Sequence, residues 1–162
     1  MEVLPITPEH IESYHQIRDH VARERKYFSI FEVPPLACTR EFLLADIAKG
    51  HSRFVGVVDG EVAGWCEIIP FNYPAHAHVG ELDIALLPPF RGRGLGKALM
   101  EVTVREALRN GLIRIKLGVF SDNTRAIALY EKIGFVREGV LRDHVLIDGH
   151  YQDLIMMAMV RQ

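Results

Sequence analysis

Apolar and polar residues follow two patterns along the chain, which predict four helices and seven strands. In four segments the apolar residues recur at the spacing of one helix face, and in the others they alternate with polar residues or run together, as in strands. The predicted order is β-α-α-β-β-β-α-β-α-β-β. Strands are predicted at residues 3–7, 53–58, 61–70, 78–87, 113–120, 136–147 and 151–160, and helices from residue 8 to the charged run at 23–28 and at residues 39–49, 94–110 and 123–134.

Two aspartate–glycine pairs predict the hairpins of the sheet. Asp59–Gly60 and Asp148–Gly149 each separate two strand patterns by the length of a tight hairpin turn. Hairpins near both ends imply antiparallel pairing, whereas the strand–helix–strand order of residues 79–119 implies one parallel pair with a right-handed crossover. The predicted fold class is α/β (α+β), a mixed, mostly antiparallel sheet of about seven strands flanked by about four helices, in one domain over residues 1–162.

Composition and charge narrow the class of protein. The 162 residues carry a net charge of -2, which makes the whole chain a poor nucleic-acid binder. With no apolar run near the ~18 residues of a membrane span, no signal peptide and only two cysteines, we expect a cytoplasmic protein without disulfides or a membrane partner. Residues 1–79 hold 11 acidic and 7 basic side chains and residues 80–162 hold 10 and 12, so the second half suits a polyphosphate better.

A glycine-rich turn, Arg91-Gly92-Arg93-Gly94-Leu95-Gly96, follows the fourth predicted strand and precedes a helix. It is not a Walker loop, because Arg91 and Ala98 stand where that loop needs a glycine and a hydroxyl. It is not the dinucleotide fingerprint either, because Lys97 replaces the third glycine. Glycines let an anion approach the backbone closely, and the start of a helix offers free N–H groups. Together these features suit a pyrophosphate. The alternative is a turn that only packs a helix against a strand.

Two motifs together resemble the GNAT superfamily of N-acetyltransferases. The glycine turn matches the family pattern Q/R-x-x-G-x-G/A, and "NTRAIALYEKIGF", Asn123 to Phe135, matches N-x-x-A-x-x-L-Y-x-x-x-G-F. The predicted order of elements agrees with that family from Val3 to Val160. The resemblance implies that acetyl-CoA is the co-substrate and that its acetyl group is transferred directly to an amine.

The resemblance also implies which residues hold acetyl-CoA. The main chain of the fourth strand, at Ile84, Ala85 and Leu86, would pair with the pantetheine amides like one more strand. Asn123 would contact the pantetheine arm, and Tyr130 would lie near the sulfur. The pyrophosphate would lie on the N–H groups of the glycine turn, which are those of Arg91, Gly92, Arg93, Gly94, Leu95 and Gly96.

The expected chemistry makes an acid and a base useful. Aminolysis of a thioester needs a neutral amine, and aliphatic amines with a pKa of about 10.4 are mostly protonated at neutral pH. The resemblance implies Tyr130 as the acid, with a tyrosine that only packs on the sheet as the alternative. It implies Glu81 as the base, acting through water, with an exposed strand carboxylate as the alternative. Asp83 shares a strand face with Glu81 and is the second candidate.

The acceptor and the assembly stay open at this stage. A small-molecule or peptide amine is expected, chosen by the first two helices and the 71–78 loop, and the slightly acidic N-terminal half favours a cationic small amine. His76 and His78 lack the further ligands that a metal needs, and Cys66 is predicted to be structural. The apolar run 154–160 predicts a buried strand, with a homodimer contact as the alternative. A non-catalytic module that senses acyl-CoA, and transfer of a longer acyl chain, are the alternative functions.

Overall fold

The structure, a computed structural model, describes residues 1–161 and contains one seven-stranded sheet with the strand order β1-β2-β3-β4-β5-β7-β6. Neighbouring strands are antiparallel except β4 and β5, which are parallel. The predicted fold class is therefore confirmed. The strands are β1 Glu2–Pro5, β2 Ser52–Val58, β3 Glu61–Pro70, β4 Val79–Leu86, β5 Arg114–Phe120, β6 Val136–Ile147 and β7 His150–Val160, and the helices are α1 Ile11–Arg23, α2 Leu36–Ala48, α3 Leu95–Arg109 and α4 Thr124–Ile133.

Both predicted hairpin turns are confirmed by their backbone geometry. Asp59 and Gly60 have φ values of 51° and 84°, and Asp148 and Gly149 have values of 51° and 79°. Two consecutive residues with positive φ form the tight turn whose twist matches that of paired strands, and aspartate followed by glycine adopts it at low cost.

Two helix starts differ from the prediction. The segment expected to begin α1 is a short 3-10 turn at Pro8–His10, and the α-helix itself begins at Ile11. Helix α2 begins at Leu36, ahead of the predicted start at residue 39, and Pro35 is its N-cap residue.

The sheet separates two hydrophobic cores. Helices α1 and α2 cover one face, where Tyr14, Leu43 and Trp65 are buried together. Helices α3 and α4 cover the other face, which buries Leu99 and Cys66. The thiol of Cys66 is free and fully buried, and burial raises its pKa, so it is a structural cysteine as expected. Strand β7 lies between β5 and β6 and buries part of the 154–160 run, as expected for an interior strand.

The two parallel strands separate partway along their length. β4 and β5 pair only from Val79 opposite Arg114 to Glu81 opposite Lys116. Beyond that point β4 stays paired with β3 up to Leu86, and β5 stays paired with β7 up to Phe120. A wedge-shaped gap therefore opens inside the sheet, on the side where the glycine turn begins α3.

Candidate active site

The gap between β4 and β5 contains a cavity of about 350 Å³. Its lining comes from the end of α1 and the following loop, from β4 and β5, and from the glycine turn and α4. Segments distant in the sequence are thus brought to one place by the divergence of two strands. The predicted site residues that line it are Ile84, Ala85, Leu86, Arg91, Gly92, Gly94, Gly96, Asn123 and Tyr130, whereas Glu81, Arg93 and Leu95 do not.

One edge of the cavity is the main chain of β4. The Leu87 N–H donates to the Ala63 carbonyl at 3.0 Å. The main-chain N–H and carbonyl groups of successive residues in a strand point alternately to its two sides, so those of Ala85 also point toward β3. The main-chain groups of Ile84 and Leu86 therefore face the gap. The Ile84 N–H donates to Asp83 Oδ1 at 3.0 Å, and the Leu86 carbonyl accepts from Arg91 Nε at 2.8 Å. The Ile84 carbonyl and the Leu86 N–H remain to pair with an extended amide ligand.

The glycine turn leads into α3, whose first N–H groups have no hydrogen-bond partner within the helix. Gly92 and Gly94 have φ values of 77° and 87°, which a side chain would strain. The first hydrogen bond of α3 runs from the Ala98 N–H to the Gly94 carbonyl, so the N–H groups of Leu95, Gly96 and Lys97 have no partner within the helix. Three free donors beside the positive end of a helix dipole are an arrangement that suits an anion.

The arginines of this region have different roles. Arg91 is braced by its bond to the Leu86 carbonyl and by an ion pair with Glu24, in which Nη1 lies 2.8 Å from Oε2. Arg93 lies over the Phe90 ring at 5.9 Å, away from the cavity lining. Arg125, on the first turn of α4, was not predicted, yet its Nη2 occupies the space that a Cβ added to Gly92 would need. Its guanidinium therefore lies against the glycine turn, where it could contact a bound anion. Its position two residues after the helix-capping Asn123 was the available signal.

Helix α4 presents Asn123 and Tyr130 to the cavity. The Asn123 Oδ1 caps the helix by accepting from the Ala126 N–H at 3.2 Å, which leaves the side-chain NH₂ for a ligand. Tyr130 lies two turns further along on the same face, is 8% exposed and packs edge-on against Phe135. Burial raises the pKa of Tyr130, and the nearby charge of Asp83 raises it further. The hydroxyl consequently keeps its proton at neutral pH.

The two candidate bases on β4 have different surroundings. The Glu81 side chain is 49% exposed, lies outside the cavity lining and places Oε1 3.5 Å from Lys116 Nζ. Asp83 is partly buried and lines the cavity. Burial raises the pKa of the Asp83 carboxyl to about 6, against the opposing charges of Arg18 and Arg53. Of the two carboxylates, the structure brings only Asp83 to Tyr130, and the role of Glu81 stays an untested prediction.

A buried polar cluster lies behind Asp83 on the α1 side of the sheet. Glu67 is the cross-strand neighbour of Asp83, accepts a hydrogen bond from the Tyr14 hydroxyl at 3.1 Å and forms an ion pair with Arg53. Arg53 also donates to Asp46, at 2.7 Å. Burial raises the pKa of Glu67 to about 7 in spite of the Arg53 charge. Sequence reasoning missed this cluster, because single charged residues in apolar strand patterns do not reveal their partners.

Comparison with known proteins places this site in a family. The family model described as "Acetyltransferase (GNAT) family" matches residues 14–135. The chain belongs to the GNAT acetyltransferase family. It is 34% identical over 151 residues to the L-amino acid N-acetyltransferase AaaT of Escherichia coli (strain K12), covering 91% of this chain and 92% of that protein. It is 30% identical over 166 residues to the spermidine N(1)-acetyltransferase of the same strain, covering 98% and 84%.

Solved structures agree in fold. The acetyl-CoA complex of yncA, a putative acetyltransferase from Salmonella typhimurium, superposes with a TM-score of 0.95 at 19% identity, over 100% of this chain and 94% of that one. The acetyl-CoA complex of a phosphinothricin acetyltransferase from Sinorhizobium meliloti gives 0.93 at 21% identity, over 99% and 88%. This GNAT enzyme is an acetyl-CoA-dependent N-acetyltransferase, as the two sequence motifs indicated. Within residues 1–161, no helix is both long and apolar enough to cross a membrane.

The position of Arg125 leads to a test of cofactor binding. We expect Arg125→Ala to raise the KM for acetyl-CoA about 10-fold with little change in kcat, because a charge-assisted phosphate contact is formed equally in the ground and transition states. Steady-state kinetics at saturating amine measure both constants. Lys132→Ala, at the other end of the same helix and away from the cavity, is the matched control. An unchanged KM in Arg125→Ala would show that this guanidinium only packs on the glycine turn.

Proposed function

We propose that the enzyme transfers the acetyl group directly to a primary amine, with Asp83 accepting a proton from the amine and Tyr130 donating a hydrogen bond to the departing sulfur. The observation that carries this proposal is that Asp83 and Tyr130 line one cavity at the point where β4 and β5 separate. The charge of Asp83 also raises the pKa of Tyr130, which supports an interaction between the two groups.

The unpaired backbone groups along the cavity support one direction for the cofactor. The anion site at the start of α3 would hold the pyrophosphate, with Arg125 beside it, and the free edge of β4 would pair with the pantetheine amides through the Ile84 carbonyl and the Leu86 N–H. The side-chain NH₂ of Asn123 would contact the same arm. The thioester then lies further along the gap, toward Asp83 and Tyr130. Ala85 contributes lining, while its main chain stays paired with β3.

The proton balance of the reaction defines what each group does. The acceptor arrives as an ammonium ion, loses one proton to Asp83 directly or through a water molecule, and its nitrogen attacks the thioester carbonyl carbon. The carbon–sulfur bond breaks and the electron pair leaves on sulfur. The nitrogen gives up its second proton to the thiolate, so that the products are the amide, the thiol of CoA and one proton. A carboxyl with a pKa of about 6 is ionised and ready to accept at neutral pH.

The role of Tyr130 follows from its raised pKa. The ordinary pKa of a thiol is about 8.5, and the pKa of Tyr130 lies above the ordinary value for tyrosine. The thiol is therefore the stronger acid, and the proton stays on Tyr130. It stabilises the developing negative charge on sulfur by hydrogen bonding in a site of low dielectric constant. The predicted acid therefore acts chiefly as a donor, and the final proton of the thiol comes from the amine.

A ligand-binding experiment combined with a turnover assay tests the proposal. At about 100 times its dissociation constant, acetyl-CoA is expected to add about 2.7 kcal/mol to the free energy of unfolding. Thermal melts with acetyl-CoA and with AMP measure this effect, and acetyl-CoA consumption is then followed with amino acids, polyamines and peptide N-termini. Stabilisation without turnover of any amine would favour the non-catalytic acyl-CoA-sensing module, and the absence of stabilisation would remove the cofactor site. A cytoplasmic location and a homodimer stay predictions.

A further inference from the structure

The guanidinium of Arg91 is held from three directions at the end of β4. Its Nε atom donates to the Leu86 carbonyl at 2.8 Å. Its Nη1 and Nη2 atoms donate to the two carboxylate oxygens of Glu24, the first at 2.8 Å. The Tyr27 ring lies against the guanidinium, with 4.9 Å between its centroid and Arg91 Cζ. Each nitrogen atom of the guanidinium therefore has a partner within the protein, and the side chain is fixed in one orientation.

Glu24 stands at an unfavourable place for a carboxylate. It is the C-cap residue of α1, where the negative end of the helix dipole repels a negative charge. The side chains of Glu24 and Arg91 are only 20% and 22% exposed, so water screens their attraction less than it screens a surface pair. The hydrogen bond from Arg91 lowers the pKa of Glu24, which keeps the carboxylate ionised at neutral pH. Its partner Arg91, and not the stability of α1, thus accounts for a glutamate at this position.

We infer that Glu24 is a positioning residue for acetyl-CoA, because it directs Arg91 Nε to the Leu86 carbonyl and so fixes the edge of β4 that pairs with the pantetheine arm. A carboxylate that binds Nη1 and Nη2 in parallel sets the plane of the guanidinium and the direction of its Nε–H bond. With the Leu86 carbonyl occupied, the N–H of the same residue is the group left for a ligand amide. The inference rests on the placement of the pantetheine arm in the proposed function.

The same ion pair withholds the charge of Arg91 from the pyrophosphate. Arg91 opens the glycine turn and lines the cavity, so its charge alone would favour a contact with a phosphate. Its Nη atoms are bound to Glu24, whose negative charge offsets that of the guanidinium. Arg125, which lies against Gly92, is the arginine assigned to the phosphate. The two arginines should therefore respond differently to a ligand that has the amide arm and lacks the phosphates.

The test compares acetyl-CoA with S-acetylpantetheine, which carries the same amide arm and thioester and no phosphate. Titration calorimetry without an amine gives the dissociation constants of both ligands. We expect Glu24→Gln to weaken S-acetylpantetheine about 10-fold, the effect of one charge-assisted contact. Acetyl-CoA should be weakened by the same factor or less, because a released Arg91 can turn toward the pyrophosphate. Arg125→Ala should weaken acetyl-CoA alone. Glu12→Gln, an exposed carboxylate on the first turn of α1 and outside the cavity lining, is the matched control and should change neither constant.

A second variant separates the shape of the Arg91 side chain from its charge. Arg91→Lys keeps the positive charge and loses the planar fork, so it cannot bind both Glu24 oxygens and the Leu86 carbonyl in the same way. We expect it to weaken S-acetylpantetheine about as much as Glu24→Gln does. In both variants kcat at saturating acetyl-CoA should be nearly unchanged, because a contact made equally in the ground and transition states affects binding alone.

The outcomes separate this inference from the function on which it rests. Unchanged binding of S-acetylpantetheine in Glu24→Gln and Arg91→Lys overturns the inference, and weaker acetyl-CoA binding in the same variants would make Arg91 a phosphate ligand. A fall in kcat as large as the loss of affinity also overturns it, because it indicates a general distortion of the cavity. If the wild-type protein binds acetyl-CoA but not S-acetylpantetheine, the placement of the arm along β4 is wrong and acetyl transfer still stands. Binding of neither ligand overturns the cofactor site itself.

Discussion

Replacement of Asp83 by asparagine is expected to lower kcat by about 10²- to 10⁴-fold, the usual worth of a positioned base. The KM for acetyl-CoA should change little, because Asp83 lines the cavity at the end that the proposal assigns to the thioester and not at the glycine turn. Single-turnover measurements with preformed acetyl-CoA complex report the chemical step directly. Glu81→Gln removes a carboxylate from the same strand face, two residues away, and is the matched control. A larger loss in Glu81→Gln than in Asp83→Asn would return the role of base to Glu81.

The pH dependence provides an independent readout of the same group. A base must be ionised to act, and the pKa of Asp83 in the free enzyme is raised to about 6, so kcat/KM for the acceptor should fall as the pH drops through that value. Asp83→Asn should lose this acidic limb. Because the pKa of Asp83 is raised in the folded state, its ionised form destabilises the fold at a pH above that value. Asparagine is uncharged, so Asp83→Asn should unfold at the same or a higher temperature at pH 8. A lower melting temperature would attribute the loss of activity to folding.

Tyr130→Phe is the second substitution with a large expected effect. The hydroxyl is expected to act on the departing sulfur, and its removal should lower kcat by about 10²-fold, as loss of one oxyanion-type donor does. The ring keeps its packing against Phe135, so stability should stay close to that of the wild type. Phe135→Leu alters that packing without touching the cavity lining and shows the size of a purely structural effect. Single-turnover rates equal to wild type in Tyr130→Phe would leave Tyr130 as a packing residue.

The sequence was sufficient for the features that depend on neighbouring residues. The hairpin turns follow from aspartate–glycine pairs that tolerate positive φ, and the start of α4 follows from the capping oxygen of Asn123. The glycine turn was recognised because it, too, is a pattern of neighbouring residues. The order of the elements followed from the apolar pattern, and the structure confirms it. The family motifs then indicated acetyl-CoA as the co-substrate, which the comparisons confirm.

The features that depend on tertiary structure were harder to predict. Glu81 and Asp83 lie on the same face of β4, and alternation alone cannot distinguish them. The end of the β4–β5 pairing at Glu81 decides which of them reaches the cavity, and that end is set by the packing of separate elements. Arg125 was missed because it is a lone cation in an otherwise ordinary helix pattern. Its significance lies in its position against the backbone of Gly92.

The divergence of β4 from β5 also bears on self-association. An unpaired strand edge on a protein surface is a template for edge-to-edge aggregation. Here the unpaired main chain of Ile84 and Leu86 lies inside a cleft between two strands of the same sheet, walled by the glycine turn and α4. The edge strand of another folded sheet is too bulky to enter this cleft. A single unbranched chain that carries amide groups can enter it and pair with the strand. The protein thus keeps a main-chain recognition edge available for a thin ligand without offering it to copies of itself.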